Sequence, residues 1–170
     1  GLNAHGRNSV KLIKSFSPTP TAGYTVGGSY TSYLDGYQAT KIELLQNETV
    51  KYATASSGNS GSYSIPNVAS GTYTLRVSKN NHVTRDYAIT VSGNTTQDVQ
   101  ICPLGDASMN GKVQANDAQL AYQQSQGKAN LSDYASKCAD VAPVGSPNGK
   151  VQAADAMVIY QQAQGKHSLY

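Results

Sequence analysis

Tryptophan is absent from this 170-residue chain, phenylalanine occurs once, and cysteine and methionine occur twice each. With so few large aromatics, only the 12 tyrosines could stack on a sugar ring, which argues against a carbohydrate-binding platform. Charged residues make up only 14% of the chain, against about a quarter in an average soluble domain. Net charge is +3 with lysines and arginines scattered, so there is no basic stripe for a nucleic acid to follow. The apolar runs are only a few residues long, too short to span a bilayer. Three histidines, His5, His82 and His167, lie far apart and without a serine or cysteine nucleophile motif nearby, and nothing in the spacing of the ten acidic residues proposes a paired-acid site. The chain therefore reads as non-catalytic. What it has in quantity is Ser, Thr, Asn, Gln, Gly and Tyr, the composition of a β-rich extracellular protein. No signal peptide is visible, and the opening Gly1-Leu2-Asn3 reads as a fragment of a longer secreted polypeptide.

Residues 1–22 are read as an N-terminal segment and linker. A short alternation, Val10-Lys11-Leu12-Ile13-Lys14, is followed by Ser17-Pro18-Thr19-Pro20, which is stiff and carries no hydrophobes for a core. Residues 23–101 show a period of two. Strands are expected at Tyr24–Tyr30, Lys41–Gln46, Val50–Ala55, Gly61–Ile65, Thr72–Ser78, Tyr87–Val91 and Thr96–Ile101. Inward-facing residues would be Ile42, Leu44, Tyr63, Ile65, Tyr73, Leu75, Val77, Tyr87, Ile89 and Val91. Ser57-Gly58-Asn59, Asn80-Asn81 and Ser92-Gly93-Asn94 supply turn chemistry between them. Many short strands in so few residues predict a β-sandwich.

Residues 102–170 contain a stretch written twice. Gly111–Leu131 and Gly149–Leu169 agree at 14 of 21 positions, which marks two copies of one supersecondary unit. Ahead of the first copy, taking Asp106 as position 1 places oxygen-bearing side chains at 3, 5, 9 and 12: Ser108, Asn110, Gln114 and Asp117. A tight-turn glycine, Gly111, falls at 6 and a hydrophobe, Val113, at 8, as in an EF-hand-type loop. Six or more oxygens must converge on a hard cation from one short segment, and the carbonyl of Lys112 would supply position 7. Calcium is the expected ion. In the second copy Asn148, Gly149, Lys150, Gln152 and Asp155 fit positions 5, 6, 7, 9 and 12, but counting back puts Val144 at position 1. Ala142–Gly145 look inserted ahead of Ser146. Either Asp140 is the first ligand of a lengthened loop, or the second site is weak or empty.

Aspartate at position 12 in both copies, with little helix entering the first loop across 97–103, resembles a dockerin, the duplicated calcium-binding module that plugs cellulosomal proteins into a cohesin on a scaffoldin. Gly61–Lys79, with the following Asn81-His82-Val83-Thr84-Arg85, resembles carboxypeptidase-regulatory-like and transthyretin-like sandwiches and the X-module that commonly precedes a dockerin. The resemblance implies a fold in two parts: an N-terminal all-β, Ig-like or transthyretin-like sandwich and a C-terminal all-α dockerin of paired EF-hand-like loop–helix motifs. It implies two calcium ions, held by Asp106, Ser108, Asn110, Lys112, Gln114 and Asp117 and by Asp140, Ser146, Asn148, Lys150, Gln152 and Asp155. It also implies a secreted, cell-surface-associated protein that binds a cohesin and so incorporates its parent into a polysaccharide-degrading cellulosome. Carried over position by position, the cohesin contacts are Ala115, Asn116, Tyr122 and Gln123, then Ala153, Ala154, Tyr160 and Gln161.

In the second helix Met157, Val158, Ile159 and Tyr160 are consecutive, and four steps of about 100° sweep the circumference, so they cannot all face one core. Met157 joins the expected contact set. Ala118, Ala121 and Ser125 form one stripe, as do Ala156, Ile159 and Ala163, small enough for close helix approach, and Gly127 and Gly165 stop the helices. A short helix near Asn130–Ala135, capped by Ser132 or Asn130, is expected between the copies. Cys102 and Cys138 sit just ahead of equivalent loop positions. They are either a disulfide, which would stabilise by about 3–4 kcal/mol, or two buried thiols. Two other functions fit the sequence: a calcium-dependent carbohydrate-binding or surface-adhesion module, and a regulatory tail of an enzyme.

Overall fold

The computed structural model describes residues 22–33 and 39–169; the alternation at Val10–Lys14 and the proline linker lie outside them. Among the described residues eight strands build two facing sheets. One is ordered β3 (Thr49–Ser56), β2 (Thr40–Gln46), β5 (Gly71–Ser78), β6 (Arg85–Val91), all antiparallel. The other pairs β4 (Ser60–Val68) with β1 (Tyr24–Thr31), whose far edge takes β7 (Thr95–Thr96) and β8 (Val99–Gln100) in parallel.

Alternation explains the core. In the first sheet Ile42 pairs with Val77, Leu44 with Leu75 and Tyr73 with Ile89, so their side chains leave the same face and meet Val26, Tyr30, Tyr63, Ile65, Val68 and Val99 from the second sheet. Of the expected inward residues, only Tyr87 stays half-buried at the rim. A register shift between Leu44 and Leu45 breaks the period of two, which lets both leucines be buried. The single expected strand Thr96–Ile101 is split into β7 and β8.

Three short helices follow: α1 (Ala115–Ser125), α2 (Asp133–Ala139) and α3 (Ala153–Ala163). Ser132 caps α2 by accepting a bond from the N–H of Ala135. Gly127 and Gly165, both at φ +67°, end the two repeat helices in the left-handed region that glycine tolerates. Helices α1 and α3 pack through Ala118, Ala121, Ala156 and Ile159.

The expectation of a separate all-α module is corrected here. With helices of 11, 7 and 11 residues and no long helical domain, the chain is one β-dominated unit carrying short helices. The physical reason lies in the composition of the helical core. Its fully buried part is mostly alanine, with Val141, Ile159 and Leu169 as its larger members, and a second cluster of Cys102, Tyr134 and Cys138 is closed by Tyr33 and Val83 from the sandwich together with Met109 of the first loop. The phenol of Tyr134 accepts from the N–H of Cys102 at 2.9 Å and donates to the carbonyl of Val83 at 2.6 Å. The Arg85 guanidinium lies 4.4 Å from the Tyr134 ring and 5.0 Å from that of Tyr87. Sandwich and helices thus share a seam.

Candidate metal loops and helix face

Asp106 is fully buried, and its carboxylate organises the first loop. One oxygen accepts from the N–H of Asn110 at 3.1 Å and the hydroxyl of Ser108 at 3.3 Å; the other accepts from the N–H of Gly111 at 2.7 Å. Gly111 adopts φ +87°, which allows the chain to turn back on this carboxylate. Asp117, also fully buried, accepts from the N–H of Ser108 and, as the third residue of α1 in a capping box, from that of the N-cap Gln114, both at 2.8 Å. Asn110 accepts from the N–H of Lys112 at 2.9 Å. Burial pushes the Asp106 carboxyl up from its ordinary range, the N–H groups of Gly111 and Asn110 pull it down, and the negative charge of Asp117 raises it again.

The second loop reproduces this around Asp140. Its oxygens accept from the N–H groups of Asn148 at 3.2 Å and Gly149 at 2.6 Å, the counterparts of Asn110 and Gly111. Of the extra residues Ala142 is buried, and 143–145 run through an exposed turn in which the N–H of Ser146 bonds the carbonyl of Pro143 at 2.9 Å. Asp155, third residue of α3, closes a capping box by accepting from the N–H of the N-cap Gln152 at 2.7 Å, and its other oxygen accepts from the N–H groups of Val141 and Ala142 at 2.8 and 2.7 Å. Asn148 accepts from the N–H of Lys150 at 2.9 Å, as Asn110 does from Lys112, and also reaches Gln152 at 3.1 Å.

The donor set suits a hard divalent cation. Each loop carries two buried carboxylates, in the first loop beside the Ser108 hydroxyl, and none of the ion pairs among the described residues involves these aspartates. Two formal negative charges match a divalent ion. Among the described residues no cluster of three or more His, Cys, Asp or Glu occurs.

The residues carried over as partner contacts lie on the outer faces of α1 and α3. Ala115, Asn116, Ala153 and Ala154 are exposed, and Gln123 and Gln161 are half-exposed. Tyr122 is 53%, Met157 64% and Tyr160 51% exposed. The large apolar residues of these helices thus split: Ile159 goes wholly inside, while Met157 and Tyr160 face solvent.

Cys102 and Cys138 are two buried free thiols, the second of the two alternatives; the hydrogen bond that the Cys102 thiol shares with Cys138 holds its proton and, with burial, pushes it far up. Sequence reasoning missed Tyr33, Gln100 and Tyr134, for which only the fold gives a signal. A shallow cleft holding Tyr33 and Tyr87 offers no free sugar platform. The Tyr87 hydroxyl is occupied by the backbone of Gln100, its ring by Arg85, and the Tyr33 hydroxyl by the Gln100 side chain.

No protein-family model matches the chain, and no curated protein matches it in sequence. Among solved structures it is similar to two interface mutants of a type II cohesin–X-dockerin complex from Acetivibrio cellulolyticus. The N-terminal interface mutant is 18% identical and the C-terminal one 20%. Each has a TM-score of 0.41 and covers 81% of this chain and 93% of the other. Among the described residues no helix is long and apolar enough to cross a membrane.

Proposed function

We propose that this chain is a non-catalytic, calcium-dependent docking protein that uses the outer faces of α1 and α3 to bind a cohesin-type partner outside the cell, and so attaches its parent to a cellulosomal or cell-surface scaffold. The observation that carries this reading is the exposure of Tyr122, Met157 and Tyr160 on two helices whose opposite faces are packed with alanine and Ile159. Tyrosines presented on a rigid helix face suit interface anchors, because they bury much area for little lost side-chain freedom.

The first cation would be held by Asp106, Ser108, Asn110, the Lys112 carbonyl, Gln114 and Asp117; the second by Asp140, Ser146, Asn148, the Lys150 carbonyl, Gln152 and Asp155. Bound calcium would tie the two ends of each loop together and neutralise a buried carboxylate pair. Asp117 and Asp155 lie in the first turns of α1 and α3, so loading the loops would fix the helix starts and with them the docking face.

A binding screen against a panel of cohesins, with calcium and with chelator, tests the reading. Binding to at least one cohesin that chelator abolishes is expected. Cohesin binding that persists after exhaustive chelation would remove the calcium requirement, and binding to polysaccharide without any cohesin would replace the docking function with adhesion.

A further inference from the structure

We propose that the rim of the sandwich braces the first metal loop, with Tyr33 and Gln100 as positioning residues, so that two loops of nearly identical sequence hold their cations with unequal affinity. This rests on the calcium-loaded reading of the loops given above.

The asymmetry is visible at the turn glycines. The ring of Tyr33 lies against Gly111 so closely that a Cβ there would collide with it, whereas nothing lies within 4 Å of a Cβ built on Gly149. The backbone N–H of Gly111 is one of the groups that hold the Asp106 carboxylate, so whatever fixes Gly111 also fixes the first ligand. Among the described residues the counterpart loop has no such cover: every residue from 143 to 150 is exposed.

Gln100 makes the brace rigid. Its side-chain amide donates to the Tyr33 hydroxyl at 2.6 Å and to the carbonyl of Met109, inside the loop, at 3.2 Å. Its own backbone is pinned in β8, paired with Thr31 and bonded on both N–H and C=O by the Tyr87 hydroxyl at 3.0 and 3.1 Å. The two residues that it links, Tyr33 and Met109, are both non-glycine residues in the left-handed region, at φ +62° and +58°. Bulky side chains adopt that conformation only where their surroundings over-determine it, and such positions concentrate at functional sites. Preorganisation of this kind raises cation affinity because a loop already held in its liganded shape loses less freedom on binding. Outer residues that orient metal ligands typically change affinity by about 10–100-fold when removed.

The experiment is a calorimetric calcium titration of the whole chain after chelation and desalting. Asp140→Ala isolates the first site and Asp106→Ala the second, and Tyr33→Ala, Tyr33→Phe and Gln100→Ala are placed in each background. The first site should bind about 10-fold more tightly than the second, and Tyr33→Ala should weaken it by about 10-fold while leaving the second within about 2-fold. Gln100→Ala should move the first site in the same direction by less, and Tyr33→Phe, which keeps the ring, by less still. Amide NMR of β2 and β5 monitors the sandwich; if Tyr33→Ala unfolds it, Gln100→Ala and Tyr33→Phe decide. Equal weakening at both sites, or none at the first, overturns the brace. Absence of calcium uptake by the wild type removes both the brace and the calcium reading. Calcium uptake with the expected asymmetry but no cohesin binding keeps the brace and removes the docking function.

Discussion

Asp106 and Asp140 hold the same two backbone groups, the N–H of an asparagine and of the glycine after it, although Gly111 lies five residues beyond Asp106 and Gly149 nine beyond Asp140. The extra length is taken up by the exposed turn that starts at Pro143, so the Asp140 carboxylate reaches the same two partners as Asp106. Asp117 and Asp155 differ more. Asp117 receives the N–H of Ser108, in the loop, while Asp155 receives those of Val141 and Ala142, where the insertion begins.

Cation removal is the first prediction. Each loop places two buried carboxylates together, and without a cation their mutual repulsion and desolvation oppose the closed loop. Chelation should lower helicity measured by circular dichroism and reduce the melting temperature. Because Tyr33, Tyr134 and Arg85 join the sandwich to the helices, the sandwich transition should shift as well. Asp106→Ala should cost more stability than Asp140→Ala in calcium. Helicity and melting unchanged by exhaustive chelation would show that the loops do not depend on a cation.

How much of this was legible in the sequence depends on the range of the interaction. Ile42, Leu44, Leu75 and Val77 were readable because alternation is local, and each sits in the core. Leu45 was not, because its burial follows from a register shift between strands that no single-strand pattern encodes. The loop spacing put Asp106 at the head of the first loop but Val144 at the head of the second; that Asp140 is the counterpart of Asp106 follows from the backbone N–H groups the two carboxylates hold in the fold. The helix periodicity around Ala118 and Ile159 showed which faces turn inward, but not what else covers the core. That is why a self-sufficient helical module was expected where the structure closes its cluster with Tyr33 and Val83. Tyr33, Gln100 and Tyr134 act across long separations, and nothing in their immediate neighbours marks them.

The second prediction tests the seam. The Tyr134 hydroxyl is shared by Cys102 and Val83, which lie 32 and 51 residues away. Tyr134→Phe keeps the ring, and with it the contact to Arg85, but leaves a buried N–H and a carbonyl without that partner. Such orphaned groups cost about 1–3 kcal/mol each, so the variant should unfold at distinctly lower denaturant concentration. If the helical part and the sandwich lose stability together, the seam couples them. A shift confined to helicity, with sandwich amide exchange unchanged, would show that the two parts are energetically separate.

The third prediction concerns the docking face, where the repeats differ most usefully. Tyr122 and Tyr160 are equivalent and almost equally exposed, at 53% and 51%, but α3 adds Met157 where α1 has Gln119. A pseudo-twofold rotation could offer either helix to the same cohesin surface. The additional apolar anchor favours the orientation led by α3. Truncating a central tyrosine anchor typically costs about 2 kcal/mol or more, so Tyr160→Ala should raise the cohesin Kd by about 30-fold. Tyr122→Ala should have an effect of about 3-fold or less. Met157→Ala should fall between them, since a flexible thioether contributes area with less definition than a ring. All three sites are on the surface, so folding and calcium uptake should be unchanged, which separates lost contact from lost structure. Strong loss only in the Tyr122→Ala/Tyr160→Ala double variant would mean that the partner accepts both orientations, and no loss in any of them would take the tyrosines out of the interface.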